Sequence, residues 1–279
     1  GIKTMREGGF TIKTTIDLRA QNAAEDAVRI GAESMYVNGS DNACLVSIDV
    51  ETGQVIAMVG SVDWNREGYG QLNATTSLLE PGSSIKPILD YTPLFMERDG
   101  VNYGPGSILK DENIDRIYCA GSFGGCALRN ASGKFYGNIT IRTALSTSQN
   151  IPAVKALYIN GIENSLDIAH KLGDKSYCAN GETAGLSMAI GGGCSVLPVE
   201  HANAYATLSR GGVYKDYSYI LEVKNSSGDV IESWTDSEGV RIVDEQVAYM
   251  ILDILSDIDG RSALWGRAWA TTYGSYSPH

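Results

Sequence analysis

Ile85, Ile88, Leu89, Leu94 and Phe95 form an apolar run that begins directly after a Pro81-Gly82 turn, and the spacing predicts a helix buried in the protein interior. Ser83 falls at or beside the N-terminus of that helix, where a hydroxyl meets the positive dipole end and free backbone N–H groups. Lys86 lies one helical turn on, so its amine can reach back over the same face to the Ser83 oxygen. Pro87 is tolerated this early because at most one first-turn hydrogen bond is lost.

A serine hydroxyl is a poor nucleophile until a base takes its proton, and a lysine can be that base once burial or a nearby cation lowers its pKa. The plain alternative is an N-capping serine followed by a solvated lysine. Ser107-Ile108-Leu109-Lys110 repeats the S-x-x-K spacing, but it follows Gly104-Pro105-Gly106 with no clear helix behind it and is set aside. Another polar group stands at Ser148-Gln149-Asn150. Helical spacing over 139–147, through Ile141, Ala144 and Leu145, cannot continue into Asn150-Ile151-Pro152. The residue before a proline resists the helical region, and Pro152 suits the first turn of a new helix. Ser148 and Asn150 thus sit at a helix–helix junction where side chains can point into a cleft; taken alone they read as local caps. Ser40-Asp41-Asn42 shares the S-x-N spacing but precedes Ser83 and leads into a strand.

Charge and cysteine usage narrow the partners. The 279 residues carry 22 Lys and Arg against 33 Asp and Glu, a formal charge of −11, and with no basic run this argues against nucleic acid. Apolar residues make up 43%, enough for a sizeable core in one large domain or one domain plus a small appendage. No apolar run approaches the length of a membrane span, and the start at Gly1 without a signal peptide reads as a piece of a longer chain whose anchor lies elsewhere. There is no C-x-x-C pair, and His170, His201 and His279 have no metal-ligand spacing, so no metal and no cofactor is expected. Cys119 and Cys126 flank a glycine-rich loop that a disulfide could close in an oxidising compartment; Cys178 with Cys194 is a second candidate pair, and Cys44 reads as a small core residue.

Around the buried helix, residues 10–16 alternate as a strand, and Asp17 caps a helix to about residue 34 with Leu18, Ala24, Ala27, Val28 and Ala32 as its apolar stripe. Residues 1–40 read as a linker segment packed on a main domain of 41–279. Residues 43–50 and 54–60 form a hairpin through Glu51-Thr52-Gly53, and the nearly all-apolar first strand reads as covered on both faces. Residues 99–138 lack periodicity and read as a long insertion or rim loop. Then come a short helix over 164–172 stopped by Gly173, a tight turn at Gly191-Gly192-Gly193, and a helix opened by Pro198 and ended at Gly211-Gly212. A hairpin of 219–223 with 230–234 and a helix over 247–258, with Met250, Ile251 and Ile254 inward, close the pattern.

Together these pieces resemble the transpeptidase domain of the class A penicillin-binding proteins, the bifunctional cell-wall synthases. The likeness runs in order through Gly9 to Asp17 with Gln21 and Ala24, Asp49 to Gly60, Pro81-Gly82-Ser83-Ser84-Ile85-Lys86-Pro87, Ser148-Gln149-Asn150-Ile151-Pro152-Ala153-Val154, and Ala204-Tyr205-Ala206-Thr207 with Gly211-Gly212. Five ordered matches are far more specific than either short motif. The resemblance implies an α/β (α+β) fold, an antiparallel sheet flanked by helices with the nucleophile at the sheet–helix cleft. It implies a D,D-transpeptidase that cross-links peptidoglycan stem peptides and is acylated by β-lactam antibiotics. Such a protein works at the extracytoplasmic face of the bacterial membrane, held there by an anchor outside this chain and in contact with other cell-wall synthesis proteins. Ser83 would attack the D-alanyl-D-alanine carbonyl, Lys86 would take its proton, and Ser148 would relay a proton to the leaving amine. Asn150 would hold the substrate amide and help orient Lys86, and the Ser83 N–H would supply half of an oxyanion hole.

Three features depart from the family pattern. No Lys is followed by Thr-Gly or Ser-Gly, so the third motif, K-T/S-G, is not found, and the chain stops at His279 about where that strand is expected to begin. The domain is therefore expected to be incomplete at its C-terminus, without half of the oxyanion hole and without the cation that binds the substrate carboxylate and helps depress the Lys86 pKa. Leu79 stands where a basic residue often precedes the nucleophile by four, and no glycosyltransferase module is present. A β-lactamase or β-lactam sensor would share Ser83 and Lys86, and a degenerate module that binds peptidoglycan or protein partners would need neither.

Overall fold

The computed structural model describes residues 6–37, 39–115, 128–179 and 185–266. Its centre is the helical run after Pro81-Gly82, and that run is not a single α-helix. Gly82–Ile85 is a 3₁₀ turn, Pro87–Tyr91 a π-helical turn, and only Thr92–Phe95 is α-helical. Two prolines explain the departure. Pro87 has no N–H for the Ser83 carbonyl, which takes the Lys86 N–H instead; Pro93 has none for Leu89, and the Thr92 N–H bonds back to the Pro87 carbonyl. The Thr92 hydroxyl adds a bond of 2.7 Å to the same carbonyl. Ile85, Ile88 and Leu89 are wholly buried, each stabilising the fold by about 1.5–3 kcal/mol through removal of apolar surface from water.

The helix α1 (Leu18–Tyr36) is capped as expected by Asp17, whose carboxylate accepts the N–H groups of Arg19 and Ala20. Its buried stripe is only Ala24, Val28 and Ala32; Leu18 and Ala27 face solvent. The stripe packs on an antiparallel pair, β2 (Leu45–Ile48) and β3 (Val55–Val59), where Ala57 and Val59 complete a small second core. Gln21 bonds both backbone groups of Met58, locking α1 to β3. β2 is half-buried along its length, not covered on both faces, because β3 is its only strand partner among the described residues; Cys44, just before it, is half-buried rather than a core residue. Gly53 turns this hairpin at φ 77°, where an added Cβ would strike the Asp216 carbonyl.

The expected antiparallel pairing is present, and the described residues divide it among four small sheets. β1 (Thr11–Thr14), β7 (Ile220–Lys224) and β8 (Val230–Ser233) make a three-stranded sheet in that order. The stretch read as an insertion contains β4 (Ile108–Asp111), which pairs with β5 (Gly137–Thr140), so the set-aside Ser107–Lys110 match is largely strand. Helical structure begins two residues later than the pattern implied, at Ile141, because Thr140 caps the next helix through the Thr143 N–H. β6 (Val213–Tyr214) with β9 (Val240–Arg241) was not visible in the pattern.

Among the described residues, six further α-helices pack around or beside the central run. They are α3 (Ile141–Ser146), α4 (Asn150–Asn160), α5 (Ile162–Leu172), α6 (Pro198–Ser209), α7 (Glu245–Ser256) and α8 (Ile258–Trp265), with the short Thr92–Phe95 segment counted as α2. Ile85, Leu89, Ile151, Leu157, Leu172 and Ile251 belong to one continuous core around it. Cys178 and Cys194 are joined in a disulfide, tying the turn after α5 to the segment before α6. The proposed Cys119–Cys126 pair lies outside the described residues.

Candidate active site

Lys86 is 1% exposed, and its surroundings decide what it can do. Its amine donates to the Ser148 carbonyl at 2.7 Å, the Ser148 hydroxyl at 3.1 Å and the Asn150 Oδ1 at 2.7 Å. An ammonium has three protons and no lone pair, so these three acceptors satisfy it completely. The two sequence motifs are thereby brought together from positions more than sixty residues apart.

The junction between α3 and α4 makes this contact geometrically available. Ser148 has φ 53°, and the chain is held there by Ser148 N–H to the Leu145 carbonyl at 3.0 Å and Gln149 N–H to the Ala144 carbonyl at 2.9 Å. In this left-handed conformation the Ser148 carbonyl and hydroxyl both meet Lys86. Asn150 is oriented from behind: its Nδ2 donates to the Arg129 carbonyl at 2.8 Å, so Oδ1 is the atom left for Lys86. Asn130 supports the same turn, accepting the Asn150 N–H at 2.9 Å while donating to both Asp111 carboxylate oxygens. Asn130 and Asp111 carried no sequence signal, since both lie in the stretch read as a rim loop.

Burial lowers the Lys86 pKa to about 8, although the nearby Asp90 pulls in the opposite direction. Asp90 is itself fully buried, and neither carboxylate oxygen has a hydrogen-bond partner among the described residues. Desolvation therefore drives its pKa well above the usual carboxylate range. Burial thus works against the charged form of both neighbours, lowering the lysine and raising the acid.

Ser83 is exposed on the 3₁₀ turn, and its hydroxyl has no hydrogen-bond partner among the described residues. This corrects the expectation that the Lys86 amine reaches back to Ser83: a buried ammonium takes the three acceptors opposite, and the 3₁₀–π start of the helix alters the one-turn relation assumed for an α-helix. The turn itself is braced. Leu79 and Val196 exchange backbone bonds of 3.0 and 2.8 Å, and Gly191, at φ 78°, packs directly on the Gly82 backbone. The Gly191-Gly192-Gly193 turn thus supports the serine.

Sequence reasoning missed a second polar chain on this turn. His201 places Nδ1 2.8 Å from the Asp174 Oδ2 and Nε2 3.0 Å from the Ser84 hydroxyl. The partners come from distant parts of the chain, and no local spacing announces them. Among the described residues, no group of three or more His, Cys, Asp or Glu side chains converges to hold a metal, and no helix is long and apolar enough to cross a membrane.

No family model matches the chain. Penicillin-binding protein 1F of Bacillus subtilis is 30% identical over 259 residues, covering 90% of this chain and 33% of that protein. Penicillin-binding protein 1A of Streptococcus oralis is 29% identical over 293 residues, covering 97% of this chain and 40% of the relative.

The chain is homologous to the penicillin-binding proteins.

It spans between a third and two-fifths of the length of these two relatives. The structure of the penicillin-binding protein PonA1 from Mycobacterium tuberculosis superposes with a TM-score of 0.75 at 24% identity, covering 94% of this chain and 67% of that one. PonA1 in complex with penicillin V superposes with a TM-score of 0.72 over 99% of this chain and 73% of that one. At these identities the superpositions establish the fold, which is that of a penicillin-binding protein.

Proposed function

We propose that this chain is an acyl-serine D,D-transpeptidase domain that cross-links peptidoglycan stem peptides and is acylated by β-lactams. One observation carries the reading: Lys86 is buried, with a pKa lowered to about 8, and its amine lies between Ser148 and Asn150. The homology to penicillin-binding proteins supports the same chemistry.

In this reading Ser83 attacks the carbonyl of the terminal D-alanyl-D-alanine, and the neutral Lys86 amine takes its proton as the C–O bond forms. The Ser83 N–H stabilises the developing oxyanion. As the C–N bond breaks, Ser148, hydrogen-bonded to Lys86, passes a proton to the leaving D-alanine amine. An amine from a neighbouring strand then attacks the acyl-enzyme, and the steps run in reverse. Asn150 holds Lys86 through Oδ1 and meets the substrate amide. The domain works outside the membrane. We further propose that residues 1–40 act as a linker segment and 41–279 as the transpeptidase domain.

Incubation with a fluorescent penicillin tests the reading. A stable adduct at Ser83 is expected; rapid turnover would point to a β-lactamase, and no adduct to a module that binds without chemistry.

A further inference from the structure

Ser84 is held from three directions. Its hydroxyl donates to the Pro81 carbonyl at 2.7 Å, the same oxygen lies 3.0 Å from the His201 Nε2, and its carbonyl accepts the Tyr205 hydroxyl at 2.7 Å. Behind His201 stands Asp174, wholly buried on the turn after α5, with its carboxylate oxygens 2.8 and 3.1 Å from Nδ1. The Tyr205 ring packs edge-on to the imidazole at 5.3 Å. The nucleophile turn and α6 therefore meet at the residue beside Ser83, with the turn after α5 joined to it through His201.

Proton counting fixes the direction of each bond. Carboxylate oxygens only accept, so Nδ1 donates to Asp174. The Ser84 hydroxyl has one proton, and the Pro81 carbonyl can only accept it. While that bond stands, His201 must donate from Nε2, so the full set exists only when both ring nitrogens carry protons. With a neutral ring, Nε2 becomes an acceptor and Ser84 must turn its proton from Pro81 to His201. The ring proton and the Ser84 rotor are tied together.

We propose that Asp174 and His201 are positioning residues for the nucleophile turn: through Ser84 they set the backbone at Ser83, and the proton on His201 selects between two hydrogen-bonding arrangements of that turn. The inference rests on the reading of Ser83 as the acylated serine. A second nucleophile at Ser84 fits less well, because its proton is given to Pro81 and its carbonyl is already taken by Tyr205. The titratable groups facing His201 are Asp174, Tyr205 of its own helix, and Glu80, which lines the same cleft from the segment before the turn. Glu200 is turned away to the Ser176 N–H at 2.7 Å.

Acylation of the chain by a fluorescent penicillin, followed in time at several concentrations, separates binding from the acylation step. Ser84→Ala and Asp174→Asn should each slow acylation about tenfold with binding unchanged, the scale of one hydrogen bond. The double variant should be no slower than the slower single, since both act through one chain of bonds. Effects that multiply, or Ser84→Ala at the wild-type rate, overturn the proposal. Nitrogen NMR of the His201 ring in the unsubstituted chain reads the relay without acylation, and carries the test where Asp174→Asn does not fold. A proton on Nδ1 and an Nε2 resonance that Ser84→Ala displaces are expected; an unprotonated Nδ1, or an Nε2 resonance indifferent to Ser84, overturns it. Absence of any Ser83 adduct in the wild type counts against the transpeptidase reading alone, and the ring measurement still decides the relay.

Discussion

Lys86 Nζ lies 2.7 Å from Asn150 Oδ1, and this bond joins the buried central helix to the first residue of α4. Asn150 cannot turn away without abandoning the Arg129 carbonyl, so the lysine has a fixed neutral acceptor on one side and Ser148 on the other. A carboxylate there would hold Lys86 protonated; an amide leaves it free to become a base.

The rate of Ser83 acylation should therefore follow the neutral fraction of Lys86. Because burial lowers that pKa to about 8, the rate is predicted to climb with pH up to about 8 and to level off above it. Lys86→Gln should lower it by about 100-fold or more. Stopped-flow acylation across pH 6 to 10, a range of about four units centred on that pKa, checks both.

Asn150→Asp is predicted to move the same limb to higher pH by about one unit or more, because a carboxylate beside the amine favours its charged form. Asn150→Ala should slow acylation without that displacement. A limb unmoved in Asn150→Asp would mean that Lys86 is not the group titrating.

Asp90 should make its presence felt in stability. Its folded-state pKa is raised by burial, so the folded chain holds a proton that the unfolded chain releases above pH 4, roughly the ordinary carboxylate value. That lowers stability as pH rises from there towards the folded-state pKa. Asp90→Asn is predicted to gain on the wild type over the same window by up to about 1.4 kcal/mol per pH unit. Urea unfolding of both proteins at successive pH values from about 4 upward measures the difference.

Gly191→Ala should damage the active turn from outside it. A methyl group there meets the Gly82 backbone, and φ 78° is unfavourable for any side chain. A loss of about 1–3 kcal/mol is predicted, with slower acylation, measured by thermal melting and penicillin labelling.

Reduction of Cys178–Cys194 opens a link of sequence separation 16 beside Asp174. The expected cost is about 3 kcal/mol on the chain-entropy account. Melting with and without reductant gives the value.

The site was legible where its chemistry is local. The Pro81-Gly82 turn, the apolar run after it and the proline break at Asn150-Ile151-Pro152 each act within a few residues, so spacing located Ser83, Lys86, Ser148 and Asn150, and the structure brings the last three together. The 3₁₀–π start was not read because its cause is the joint effect of Pro87 and Pro93, which were weighed one at a time. Contacts across long separations left no trace: Ser84 with His201 spans 117 positions, and Asn130 orders Asn150 from a stretch without periodicity. The stripe of α1 was read too wide, since Leu18 lies at the exposed first turn and Ala27 off the face carried by Ala24, Val28 and Ala32. The antiparallel pairing and flanking helices expected by likeness are present, and the short strands divide that pairing among four small sheets.

The central claim is that the hydroxyl of Ser83, on the turn that leads into the buried Lys86, is the acyl acceptor. Mass spectrometry of proteolytic peptides after treatment with benzylpenicillin tests it most directly. The account predicts one covalent adduct, on the peptide containing Ser83, lost in Ser83→Ala and slowed in Lys86→Gln. An adduct that survives Ser83→Ala, or none in the wild-type chain, would contradict it.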